Sequence, residues 1–192
     1  MTEFLLKNFP LLEQLDNSLN PYGSCNMTSV AMCLKFLGKS RDLRYSSFNH
    51  WADELQQRAE DNGWDRHDPV AMQKMVRLYE AQDDLQVVQG WDKVGSEVYQ
   101  TIAHIEKGLP AIAHTYLTQS GHIVCLTGVR LGDDGKPTQW HITDPYGEPD
   151  IASGTYDRNT NDDPSLGQYW LSHAAFTSKI LTDGSFWVHL IK

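Results

Sequence analysis

The chain predicts an α+β fold, with helices in its first half packed on an antiparallel sheet built from its second. Between residues 25 and 107, apolar side chains recur at helical spacing. From residue 110 onward they gather instead into short runs separated by turn residues, Asp133-Asp134-Gly135 among them. The first helix starts at Cys25 after a turn made by Pro21 and Gly23, with Ser24 as its N-cap and Gly38 closing it. A second covers Tyr45 to Ala59, with Phe48, Trp51, Ala52, Leu55 and Ala59 on one face. Asp68-Pro69 opens a third as N-cap and first helical residue, its apolar face being Val70, Met72, Met75, Val76 and Tyr79. A fourth runs from about Ser96 to Lys107 and ends at Gly108. Pro110 to Leu117, Gly121 to Leu131, Thr138 to Thr143 and Ser185 to Ile191 read as strands. Pro145 to Gln168 reads as a long polar loop, a length usually tied to function or mobility.

Size and charge narrow the function classes. A chain of 192 residues, 40% apolar with six Trp and eight Tyr, fits one domain over 1–192 with a core that needs no staples. A net charge of −9 argues against a broad basic surface for nucleic acid. The three cysteines are scattered and form no CxxC pair, which matches neither a disulfide framework nor a zinc site and suits a reducing compartment. The segment Met1 to Lys7 has no cleavable apolar core, and no run nears the ~20 apolar residues of a membrane span. The expectation is a cytoplasmic protein as synthesised, a setting compatible with later release by lysis or a phage-type route.

Four residues carry chemistry. A thiol at a helix start faces unpaired N–H groups and the positive end of the helix dipole, both of which favour the nucleophilic thiolate, so Cys25 is the candidate nucleophile. His122 opens the most apolar strand beside Gly121 and is the candidate base. Asp144 ends the next strand, and a hairpin through Asp133–Gly135 would bring it to the same sheet end as His122, where a carboxylate can orient an imidazole. Gln14 lies shortly before Cys25, and its side-chain amide can join the Cys25 N–H in an oxyanion hole. The rival histidines, His114 and His141, do not sit at a strand mouth beside a glycine. Cys33 and Cys125 read as core thiols, and Cys125 is expected on the sheet face opposite His122. Trp140 and Trp170 are candidate walls of a substrate groove. Asp157-x-Asn159-x-Asn161-x-Asp163 has the oxygen spacing of a half calcium loop. Asp162 in place of the turn glycine and Gln168 in place of the bidentate carboxylate argue against a metal.

The order Gln14, Gly23-Ser24-Cys25, Gly121-His122-Ile123-Val124 and Asp144-Pro145-Tyr146-Gly147 resembles the papain-like cysteine peptidases of the double-glycine type, in their stand-alone form. The resemblance covers Leu12 to Gly147. It implies a papain-like fold with Cys25 as nucleophile, His122 as general base and acid, Asp144 as orienter and Gln14 as oxyanion donor. Asn26-Met27 stands where the family often has Gly-Pro, and there is no Walker-type loop or spanning helix of the transporter-linked members. The expected activity is hydrolysis of an amide bond through a thioester, with no metal or organic cofactor required. The substrate would be a peptide, a protein or the peptide cross-bridges of peptidoglycan. A non-catalytic relative that binds peptide in the same cleft is the reading from another class.

Overall fold

The computed structural model describes residues 1–88, 96–157, 166–180 and 186–192. Helices α1 (Cys25–Phe36), α2 (Trp51–Asp61) and α3 (Pro69–Leu78) precede most of the sheet, with α4 (Ser96–Glu106) and a short α5 (His173–Ser178) later in the chain. Seven strands form one antiparallel sheet: β1 (Thr2–Leu5), β2 (Asp83–Val88), β3 (Ala111–Thr115), β4 (His122–Leu131), β5 (Pro137–Thr143), β8 (Gln168–Ser172) and β9 (Phe186–Ile191). Their order is β2-β9-β3-β4-β5-β8, and β1 pairs with the far half of β4. Strands β6 (Glu148–Asp150) and β7 (Thr155–Asp157) make a separate hairpin. The architecture is α+β, as the helix-then-strand order predicts.

The sheet is covered on both faces, and the alternation of side chains along β3 and β4 sorts them between two cores. Ile112, Ile123 and Cys125 face α1, α2 and α3, joining Val30, Leu34, Leu55, Met72 and Met75. Ala113, Val124 and Leu126 face the other way, toward Val98, Ile102 and Ile105 of α4 and Phe176 of α5. Helix α1 is buried along its length, from Asn26 to Leu34. That burial explains how it forms without its expected cap. Ser24 precedes the helix but makes no side-chain cap hydrogen bond. A missing cap costs about 1 kcal/mol, while each fully buried Leu, Val or Met contributes roughly 1.5–3 kcal/mol. Packing wins. Gly38 ends the helix with φ of 70°, the left-handed conformation predicted for a closing glycine. Asp68 caps α3 by accepting from the Val70 N–H at 2.9 Å, with Pro69 at the first position.

Several elements depart from the sequence reading. The helix expected over Tyr45–Ala59 is a 3-10 turn at Leu43–Tyr45, a break, and then α2. The break has a tertiary cause: the Arg41 guanidinium takes the Phe48 and Asn49 carbonyls at 2.6 and 3.1 Å, the acceptors a continuous helix would use. The 145–168 stretch is not all loop, since it holds the β6–β7 hairpin. Strands β1, β2 and β8 and helix α5 were not expected. Trp140 is fully buried with its indole N–H on His173 Nδ1 at 3.0 Å, so it walls no groove. Trp170 stacks under the Arg130 guanidinium at 3.9 Å and also lies away from the cleft lining. The half calcium loop beyond Asp157, Trp91 and the Ser185 strand start lie outside the described residues. Among the described residues no group of His, Cys, Asp and Glu could hold a metal, and no helix is long and apolar enough to cross a membrane.

Candidate active site

The site is built where element ends meet. Cys25 is the first residue of α1, so its N–H is among those with no intrahelical acceptor. His122 is the first residue of β4, following Gly121 whose φ of 88° turns the chain into the strand. Antiparallel pairing of Cys125 with Thr143 sets Asp144 beside the start of β4. His122 Nε2 then lies 2.6 Å from Asp144 Oδ1, with His122 3% and Asp144 0% exposed. With Nε2 engaged, Nδ1 is the ring nitrogen left to face Cys25, which lines the same cleft. Cys25 is partly exposed and lines a cleft of about 890 Å³ together with Gln14, His122, Tyr146 and Tyr156.

Electrostatics couple the two groups. Burial alone would push the Cys25 thiol up, but the hydrogen bond and charge of His122 and the Ile123 N–H outweigh it and lower the pKa. Burial likewise disfavours the imidazolium of His122. The Asp144 charge and hydrogen bond, with the Cys25 contact, reverse this and raise it to about 10. Each group thus favours the charged form of the other. The other two thiols differ sharply. Cys33 and Cys125 are fully buried with their sulfurs 3.8 Å apart, and burial pushes the Cys33 thiol well up.

Gln14 is held from both sides. Its backbone N–H donates to the Pro145 carbonyl at 2.8 Å, tying it to the Asp144 segment. Its side-chain amide donates one N–H to the Pro21 carbonyl at 3.1 Å, which leaves the second for a ligand. Sequence reasoning missed Asn17, whose amide nitrogen lies 2.9–3.0 Å from the Gln14 carbonyl, Ser24 Oγ and Thr28 Oγ1 and so pins the pre-cysteine loop to α1. It also missed Asp53, which receives the Ser18 and Leu19 N–H groups at 2.9 Å. Tyr156 and Tyr169 were missed too: both phenols donate to Asp144 Oδ2 at 3.1 Å. A cluster of aromatics after Asp-Pro was visible, but not which carboxylate it would meet. The rival His114 does line the cleft, stacked on Trp187 at 5.0 Å and 10°. His141 sits elsewhere against Thr127 Oγ1 at 2.7 Å, and burial with the Arg130 charge lowers it to about 4.

A buried helix presenting a cysteine to a histidine at the mouth of an antiparallel sheet is the architecture of the papain-like cysteine peptidases. Solved structures share the fold. UfSP from C. elegans aligns with a TM-score of 0.61 at 15% identity over 100% of this chain, which spans 34% of that longer one. The peptidase domain of Streptococcus ComA, a bi-functional ABC transporter, aligns with a TM-score of 0.52 at 14% identity over 95% of this chain and 98% of that domain. A protein described as a C39-like peptidase from Bacillus anthracis aligns with a TM-score of 0.52 at 14% identity, covering 100% and 98% of the two chains. No curated protein matches in sequence. The Peptidase_C39 like family model matches residues 6–173, and the chain belongs to that family.

Proposed function

We propose that the protein is a cysteine peptidase that hydrolyses a peptide bond through Cys25, His122 and Asp144. The observation that carries this reading is the His122–Asp144 contact of 2.6 Å beside a Cys25 whose thiolate is favoured, all on one open cleft. The Cys25 thiolate attacks the carbonyl carbon, and the C=O pair moves onto oxygen. The Cys25 N–H and the second Gln14 amide N–H donate to that oxyanion. As the tetrahedral species collapses, His122 gives its proton to the leaving amine and an acyl thioester stays on Cys25. His122 next takes a proton from water, which attacks the thioester, and the acid leaves as the thiol reforms. Asp144 holds the imidazole ring with Nδ1 toward the sulfur throughout. No step needs a metal.

A peptide substrate is supported by the family, and by fold neighbours described as peptidases. The test is incubation of purified protein with a mixed peptide library and, in parallel, purified peptidoglycan, with products read by mass spectrometry. Cleaved peptides from wild type, and none from a folded Cys25→Ala variant, are the expected result. Equal cleavage by Cys25→Ala would sink the assignment, and products from peptidoglycan alone would move the substrate to the cell wall.

A further inference from the structure

Asp144 is a fully buried carboxylate, and each of its lone-pair positions has a donor. Oδ1 accepts from His122 Nε2 at 2.6 Å and from the Tyr146 N–H at 2.8 Å. Oδ2 accepts from the Tyr156 and Tyr169 hydroxyls, both at 3.1 Å. A carboxylate has about four such positions, so the set is complete. The two phenols come from different elements, Tyr156 from β7 and Tyr169 from β8. Tyr156 also lies edge-on to the His122 ring at 5.8 Å and borders the cleft, while Tyr169 approaches from the sheet edge.

We infer that Tyr156 and Tyr169 are positioning residues of the reaction: their hydroxyls keep the charge on Asp144 and thereby keep the proton on His122. This rests on the catalytic reading above. The physical reason is competition for one proton. A buried carboxylate stripped of donors pays the full cost of an unsatisfied charge, and it relieves that cost by binding a proton. The nearest proton is on His122. If Asp144 takes it, both partners become neutral, and the Cys25 thiolate loses the cation that stabilises it. Burial first, then the nearby Asp144 charge, raises both phenols far above neutral pH, so both remain donors. The titratable groups around the carboxylate are Cys25 on α1, His122 on β4, Tyr146, Tyr156 and Tyr169, with Glu148 of β6 acting on Tyr169. Only His122 among them is a cation, and the phenols are what hold its counter-charge in place.

The experiment is the pH dependence of Cys25 alkylation by iodoacetamide in wild type, Tyr156→Phe, Tyr169→Phe and the double variant. Phenylalanine keeps the ring packing and deletes only the hydroxyl. The acidic limb should move to higher pH, so that alkylation below neutrality slows about tenfold for one lost charge-assisted hydrogen bond and further for two. In a peptide assay kcat should fall by a similar factor while KM changes less than about threefold. A lost packing contact would lower the melting temperature without moving the limb. Folded variants whose acidic limb coincides with wild type overturn the inference. Should Tyr169→Phe fail to fold, Tyr156→Phe carries the test alone, since its side chain borders the open cleft. A wild-type Cys25 with the alkylation profile of an ordinary thiol would instead overturn the catalytic reading beneath.

Discussion

Two opposed forces decide the charge at Cys25. Burial favours the neutral thiol, and a neighbouring imidazolium favours the thiolate; in this cleft the imidazolium wins because Asp144 pins it. Iodoacetamide should therefore label Cys25 alone in the native protein, at a pH below the ~8.5 of a free thiol. Mass spectrometry should find one adduct on the folded chain and three after denaturation, since the chain has three cysteines. Native labelling of Cys33 or Cys125 would contradict the burial described. Peptide cleavage should show a bell-shaped pH profile, falling in acid as the thiolate is protonated and in alkali as His122 loses its proton toward pH 10. The same shift has a sign for stability. The folded pKa of His122 lies above its unfolded value of ~6.5, so its contribution is complete below that pH and is lost as pH rises through about 10. Urea denaturation of wild type and His122→Ala should accordingly show a larger stability gap at pH 6 than at pH 11. An equal gap at both would mean that the shift is absent.

Strand β4 runs from the candidate site at His122 to an end packed against β1. At Gly128 an added Cβ would lie 2.8 Å from the Phe4 carbonyl and 2.9 Å from His141 Cβ, so the strand leaves no room for a side chain where β1 crosses. Gly128→Ala should destabilise the fold by about 1–3 kcal/mol, the cost of overpacking, as read by urea midpoint. Six residues of strand, about 20 Å, separate Gly128 from His122, so activity per folded molecule should stay at the wild-type level. Loss of activity without loss of stability would show that the two ends are coupled. The elements that a reader of the sequence could place are those with local punctuation. Pro21, Gly23 and Gly38 bracket α1, Asp68-Pro69 opens α3, Gly108 closes α4, and Asp133–Gly135 turns β4 into β5. What escaped was set by partners outside the element itself. Arg41 breaks the expected second helix from outside it, and β1 exists because β4 runs past β3 and offers it an edge. For the same reason Cys25, His122 and Asp144 could be picked out as candidates at element ends. Tyr156 and Tyr169 could not, because their meaning depends on meeting Asp144 across 12 and 25 residues.

Helices α1, α2 and α3 pack on one face of the sheet, and the cleft holding Cys25 and His122 lies beside that packing. Ser29 Oγ donates to the Ile123 carbonyl at 3.2 Å, and Cys125 Sγ donates to the Ser29 carbonyl at 3.5 Å, so α1 is fastened to β4 a turn or two below Cys25. Separating the layers would therefore expose Cys33 and Cys125 and remove His122 from Cys25 in the same event. In a urea titration, alkylation of the two buried thiols should rise over the range in which peptide cleavage is lost. Cleavage lost at distinctly lower urea would mean that the cleft opens as a unit of its own. Cys25 and His122 are the first residues of α1 and β4 and Asp144 lies just past β5, whereas the interiors of these elements are mostly packed core. Descent can then rewrite those interiors, one volume-preserving exchange after another, without moving any of the three ends. The fold shared with UfSP at 15% identity shows how far the sequence can differ while the chain keeps its path.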